Sequence, residues 1–183
     1  MTNTQANGEE VAFVSPNCID LAPSHARLAI TKRFPDGESY CRLEGTENLT
    51  GKNVAILHRL FPNPDQNSVV LLQMMQVIKA SGAKRIRLLI PYLPYARQDK
   101  QWLAGEAVSS KLLVKLLREN GADEVFTWDC HFLKKPGTAE YGGLKLTNMC
   151  MSEKLVAYLK KNRPDAVVVS PDAGAKHLAG RSG

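Results

Sequence analysis

Four short stretches of this 183-residue chain carry the residue types that do chemistry. In "YARQDK", Arg97 is a planar fork suited to bidentate phosphate contact, and Gln98 can both donate and accept hydrogen bonds. In "WDCH", a strand's two-residue period would put Asp129 and His131 on one side and Cys130 on the other. Such a carboxylate and imidazole can hold a divalent metal or pass a proton, or can bond local backbone at a strand end. Magnesium prefers oxygen, so His131 would be an unusual ligand for it. In "SPDAG", Asp172 opens a run of small residues, either as a helix N-cap or as a carboxylate beside a phosphate at a helix start. In "FPDGE", the x-P-D-G-x pattern makes a turn, on which Phe34 is a flat stacking surface while Asp36 and Glu38 offer acceptors to an amino-bearing base.

These residues need a frame, and the hydrophobic pattern supplies one. "EVAFVSP", "NVAILHRL", "RIRLLIPYL", "DEVFTWDCH" and "DAVVVSPD" read as short strands, and "SYCRLEG" as a half-exposed one. Between them, "CIDLAPSHARLAI" reads as helical up to an interruption at Pro23. "DQNSVVLLQMMQVIKASGA" reads as a helix with Asp65 or Asn67 as N-cap and Gly82 past its end, "AVSSKLLVKLLRENGA" as a helix ended by Gly121, and "NMCMSEKLVAYLKKNRP" as a third. Strand and helix in alternation predict an α/β fold with a parallel sheet flanked by helices on both faces. In such sheets ligands gather beyond the carboxyl ends of the strands, where "YARQDK", "WDCH" and "SPDAG" all fall. Gly and Pro concentrate in residues 135–148, which predicts a boundary there: a first α/β domain over 1–144, and over 145–183 the start of a second, similar one.

Composition narrows the function classes. Hydrophobic residues make up 44% and charged residues 23% of the chain, as in globular proteins. No apolar run approaches the roughly 20 residues that cross a bilayer, and "MTNTQANGEE" lacks the features of a signal peptide, so a cytoplasmic protein without membrane contact is expected. Cys18, Cys41, Cys130 and Cys150 are too scattered for a metal-binding pair and read as reduced thiols. The net charge of +6 is spread along the chain without a nucleic-acid motif, which points to phosphate-bearing small molecules instead. There is no G-x-x-x-x-G-K-[ST] and no G-x-G-x-x-G, so a triphosphate would be held by arginine, metal and helix ends.

"RFPDGE", "IPYLPYARQDK", "TWDCH" and "VVVSPDAG", in this order, resemble the ribose-phosphate pyrophosphokinase (phosphoribosyl pyrophosphate synthetase) family. The resemblance covers roughly residues 33 to 175 and includes "LLQMMQVIKASGAKRI" and "GEAVSSKLLVKLLRENGADEV"; "KQWLAGEAVSSK" is more similar to archaeal-type members. It implies a phosphoribosyltransferase-like fold and a transferase that moves diphosphate from ATP to ribose 5-phosphate with Mg2+, giving phosphoribosyl diphosphate and AMP. It further implies that Phe34, Asp36 and Glu38 reach into a neighbouring subunit's ATP site, which makes the protein a homo-oligomer with a shared active site. By the same resemblance Arg97 contacts the ATP phosphates and Gln98 lies nearer the adenosine. His131, with Asp129 beside it, is matched to the metal, and Asp172 to ribose 5-phosphate and its metal.

The family's Lys/Arg loop that acts on the transition state, and its acidic 5-phosphate loop, have no match before Gly183. No catalytic residue is therefore assigned within the chain, which is expected to be an amino-terminal part that is nearly inactive alone. Two other readings share the scaffold. One is a non-catalytic subunit associated with complete synthetases, and the other a phosphoribosyltransferase, whose phosphate loop is missing here.

Overall fold

The computed structural model of the chain describes residues 10–170 and 172–176. Its main sheet contains β1 (Glu10–Val14), β2 (Arg27–Leu28), β5 (Asn53–Leu57), β6 (Arg85–Leu89), β7 (Glu124–Trp128), β8 (Gly137–Tyr141) and β9 (Leu144–Met149), in the order β2-β1-β5-β6-β7-β9-β8. All neighbours are parallel except β8 and β9. A separate antiparallel hairpin is formed by β3 (Ile30–Arg33) and β4 (Ser39–Arg42). The predicted α/β class is the one observed.

Alternation along the strands builds the core. Val54 and Ile56 of β5, Ile86 and Leu88 of β6, Val125 of β7 and Leu146 of β9 fall on one face. They pack with Val70, Leu71, Met74 and Ile78 of α1 (Pro64–Ala80) and Leu113, Val114 and Leu117 of α2 (Ser109–Glu119). Fully burying such a side chain contributes about 1.5–3 kcal/mol, so this face holds most of the fold's stability. The second face is covered differently from the expectation. Ala12, Ala55, Leu57, Leu89 and Trp128 floor a cleft of about 680 Å³, bounded by residues 21–26 and the start of α3 (Ser152–Asn162).

Several local expectations are corrected. "CIDLAPSHARLAI" forms a 3-10 turn at Pro16–Leu21 and then passes into β2 and β3. Pro16 and Pro23 bracket too short a run for an α-helix, and the chain settles for i+3 bonds such as Cys18 N–H to Ser15 O at 3.0 Å. The N-cap of α1 is Asn63, left-handed with φ 62°, and not Asp65 or Asn67, because Pro64 occupies the first helical position. Residues 135–148, where a boundary is expected, hold most of the β8–β9 hairpin, with Leu144 and Leu146 buried and β9 paired in parallel to β7. Two of its glycines, Gly142 and Gly143, make the turn, both at positive φ. The predicted strand "DAVVVSPD" is not one. Val167 and Val169 are 82% and 79% exposed, and no strand among the described residues lies beside them to complete a ladder.

Candidate functional site

β6 and β7 are adjacent and parallel, so their carboxyl ends open side by side. Beyond β6, Leu93, Pro94 and Ala96 turn inward and are buried, which leaves Arg97 and Gln98 exposed on a ledge. The turn depends on Tyr95, whose backbone is left-handed (φ 60°), with Gln98 N–H bonded to Tyr95 O at 2.9 Å. Conformations of this kind cost of order 1–3 kcal/mol for a bulky residue and persist only where surroundings enforce them. Here the Tyr95 hydroxyl donates to Asp65 in the first turn of α1. The carbonyl of Gln98 accepts from both the backbone N–H (3.2 Å) and the hydroxyl (2.9 Å) of Ser110, which is 1% exposed. Ser110 Oγ also lies 2.6 Å from Tyr141 Oη, and Tyr141 stacks on Phe132 with centroids 4.3 Å apart.

That chain of contacts ties the Arg97 ledge to the residues beyond β7. β7 ends at Trp128, and Asp129 takes a left-handed backbone (φ 44°), so Asp129 and His131 do not share a strand face as their spacing predicted. Asp129 Oδ2 accepts from Met151 N–H at 3.2 Å, while its own N–H donates to Met149 O at 2.8 Å. One oxygen of the carboxylate thus bonds local backbone. Cys130 is buried, and burial pushes its thiol pKa up, with the Asp99 carboxylate adding in the same direction. His131 is exposed, next to Phe132, and its ring makes no hydrogen bond with the described residues. Asn148 of β9 fixes this turn from below: its Oδ1 accepts from Cys130 N–H at 2.9 Å, and its Nδ2 donates to Leu133 O (2.8 Å) and Lys135 O (3.1 Å).

The other assigned residues are not brought to this ledge. Phe34, Asp36 and Glu38 lie on the tip of the β3–β4 hairpin, whose turn is closed by Phe34 N–H to Glu38 O and Gly37 N–H to Phe34 O, both 2.9 Å. Gly37 takes φ 94° there, which a side chain would resist. Phe34 is 41% exposed and sits edge-on to Tyr40 at 5.9 Å, with the Lys32 ammonium over both rings. Asp36 Oδ1 accepts from Glu38 N–H at 3.1 Å, so one of its oxygens serves its own turn. Asp172 caps the 3-10 turn Ala173–Ala175, accepting from Ala175 N–H at 2.9 Å. The helix start expected after "SPD" is described only as this turn; Pro171 and His177 onward lie outside the described residues.

Among the described residues no three His, Cys, Asp or Glu side chains gather closely enough to hold a metal. Of the two residues expected at a metal, Asp129 offers the oxygen that magnesium takes, with Oδ2 also accepting from Met151 N–H, and His131 offers a nitrogen.

Ser110, Tyr141, Asp65 and Asn148 are the positioning residues that sequence reasoning missed. Ser110 ends the run "GEAVSS" at a helix start, a position where serine signals a backbone contact; the partner, twelve positions back at Gln98 or on another strand, leaves no such mark.

Comparison with known proteins agrees with this architecture. Residues 20–121 match the model of the N-terminal domain of ribose phosphate pyrophosphokinase. A ribose-phosphate pyrophosphokinase of Methanobrevibacter smithii is 34% identical over 150 residues, 81% of this chain and 48% of that protein. One from Rhodopirellula baltica is 32% identical over 164 residues, 86% of this chain and 49% of its own length. The crystal structure of phosphoribosylpyrophosphate synthetase from Mycobacterium smegmatis superposes with a TM-score of 0.79 at 26% identity, covering 94% of this chain and 59% of that one. The chain spans about half the length of the curated relatives it matches. With its parallel sheet and its paired ledges at the β6 and β7 tips, it belongs to the ribose-phosphate pyrophosphokinase family and carries that family's N-terminal domain.

Proposed function

We propose that this chain supplies the nucleotide-binding half of a ribose-phosphate diphosphokinase. In that reaction the C1 hydroxyl oxygen of ribose 5-phosphate attacks the β-phosphorus of ATP and gives up its proton to solvent, the bond from the bridging oxygen to that phosphorus breaks, and AMP leaves with the bridging oxygen. Such transfer depends on positioning and on neutralising charge, and needs no covalent nucleophile from the protein. Arg97 holds the phosphates and Gln98 lies toward the adenosine. His131, with Asp129 beside it, would help to hold a magnesium ion carried by the nucleotide. Asp172 serves ribose 5-phosphate. Phe34, Asp36 and Glu38 complete the adenine pocket of a neighbouring subunit, so the working protein is a homo-oligomer, in the cytoplasm, with a second domain beginning in residues 145–183.

The observation that carries this reading is the Arg97 ledge: a guanidinium and an amide held out by a pinned turn, beside the exposed His131, at the tips of adjacent parallel strands. Calorimetric titration of Mg–ATP tests it. Arg97→Ala is expected to weaken binding about tenfold, the worth of one charge-assisted contact, and unchanged affinity in a folded variant would remove Arg97 from the site. A coupled assay of the 183-residue polypeptide should show AMP release far below an ordinary enzymatic rate.

A further inference from the structure

The loop that follows Arg97 carries more internal structure than a solvated connection needs. Residues 99–109 leave the ledge and return to α2, and the backbone N–H and hydroxyl of Ser110, both bonded to Gln98 O, close the loop at its neck. Glu106 stitches the tip: its Oε2 accepts from the backbone N–H of Trp102 (2.9 Å) and of Leu103 (3.0 Å), while its own N–H donates to Leu103 O at 3.2 Å. Gly105, at φ 88°, makes the reversal that brings Glu106 back to those groups.

What this framework holds out is apolar. Trp102 and Leu103 are 71% and 69% exposed. Single apolar side chains on a surface are ordinary and call for no function. Trp102 differs because its ring is held as well as exposed: the Lys100 ammonium lies over it, 3.9 Å from the ring centroid. One ammonium covers one face of an indole, so the other face is flat, oriented and open. With the backbone fixed by Glu106 and the ring by Lys100, little freedom is left to lose when a planar group stacks there.

The place of the ring says which planar group that is. Trp102 follows Gln98 by four residues, so its Cα lies within about 14 Å of that of Gln98 even if the chain between them is fully extended. The triphosphate and ribose of a nucleotide span a comparable length, so a nucleotide with its phosphates on Arg97 can bring its base to the indole. We propose that the open face of Trp102 stacks on the base of the nucleotide whose phosphates Arg97 holds. This rests on the nucleotide reading of the ledge and adds a residue to it. A base has two faces, so Trp102 on one and Phe34 of a neighbouring subunit on the other do not compete. Stacking accepts any base; Trp102 therefore favours a nucleotide over a bare triphosphate and leaves the choice of adenine to hydrogen bonds.

Calorimetry on the 183-residue chain compares Mg–ATP with Mg–tripolyphosphate, which has the phosphates and no base. Trp102→Ala should weaken Mg–ATP about tenfold, as loss of one base stack does, and leave Mg–tripolyphosphate unchanged; Trp102→Phe, which keeps a ring, should recover most of the affinity. The side chain is exposed, so circular dichroism should not change in either variant. In a Trp128→Phe background Trp102 is the one tryptophan of the chain, and its fluorescence should respond to Mg–ATP and not to Mg–tripolyphosphate. Unchanged Mg–ATP affinity in Trp102→Ala, or an equal loss of Mg–tripolyphosphate, would overturn the proposal. So would indole fluorescence that follows protein concentration and ignores Mg–ATP, the mark of a contact between copies. The two readings fail separately: if Arg97→Ala weakens both ligands and Trp102→Ala neither, the stack alone falls, whereas a wild-type chain that binds neither ligand removes the ledge and the stack together.

Discussion

The tips of β6 and β7 and the segment 164–176 are built from similar residues, an apolar run leading into an acid, and they differ in almost every physical respect. β6 lies between β5 and β7, and β7 between β6 and β9, so their backbone groups are paired on both sides. The turns that follow are anchored by Ser110 and Asn148. Residues 167–169 have no neighbouring strand among the described residues, and Asp172 turns its carboxylate back on Ala175. An apolar run permits a strand; a partner with free backbone groups makes one. A side chain at a strand tip can present its chemistry outward only when other groups hold the turn beneath it.

The contrast can be broken or sharpened by experiment. The largest effect should come from acid. His58 titrates near 6.5 when unfolded but near 4 in the fold, so the unfolded chain binds the extra proton between those values. The stabilisation is fully present above pH 6.5 and is lost as pH falls toward 4, by about 3 kcal/mol over the window. Urea melts at successive pH values should show this slope in amide protection of β5 to β7 and not in residues 166–170; a flat profile would mean that the ring is solvated. Next, Asn148→Ala removes three hydrogen bonds from a buried position and should cost about 2 kcal/mol, while exchange broadening appears at His131. If the melt is unchanged, the turn is held by something else.

Ser110→Ala should cost about 1 kcal/mol and leave Gln98 O with only the backbone N–H of position 110, so that Mg–ATP affinity drops more than stability does. Tyr141→Phe, which removes only one hydroxyl, should do the same more weakly, and calorimetry finding wild-type affinity in both would detach the ledge from this support. The smallest effect is expected at Val167→Ser, within about 0.5 kcal/mol of wild type, as for an exposed residue. A larger loss would show that residues 164–170 are packed against something after all.

Much of the sheet was legible because its strands are short apolar runs with Gly82 and Gly121 closing the helices between them, local signals that survive folding. Arg97, Gln98 and His131 could be singled out by type, and the structure leaves all three exposed at neighbouring tips. Asp129 and Asp172 could not be judged in advance. Whether a carboxylate faces a ligand or caps a backbone depends on where Met151 N–H and Ala175 N–H lie, which a sequence does not state. The role of residues 135–148 was hidden for a related reason: glycines at a hairpin turn and glycines in a linker are spelled alike, and only the pairing of β9 with β7 separates them.

Arg33 grips Gln66 and Tyr95 grips Asp65, two consecutive residues of one helical turn. The hairpin bearing Phe34 and the ledge bearing Arg97 are therefore bolted to a common mount. Neither can be re-aimed alone, and a change at the mount reaches both.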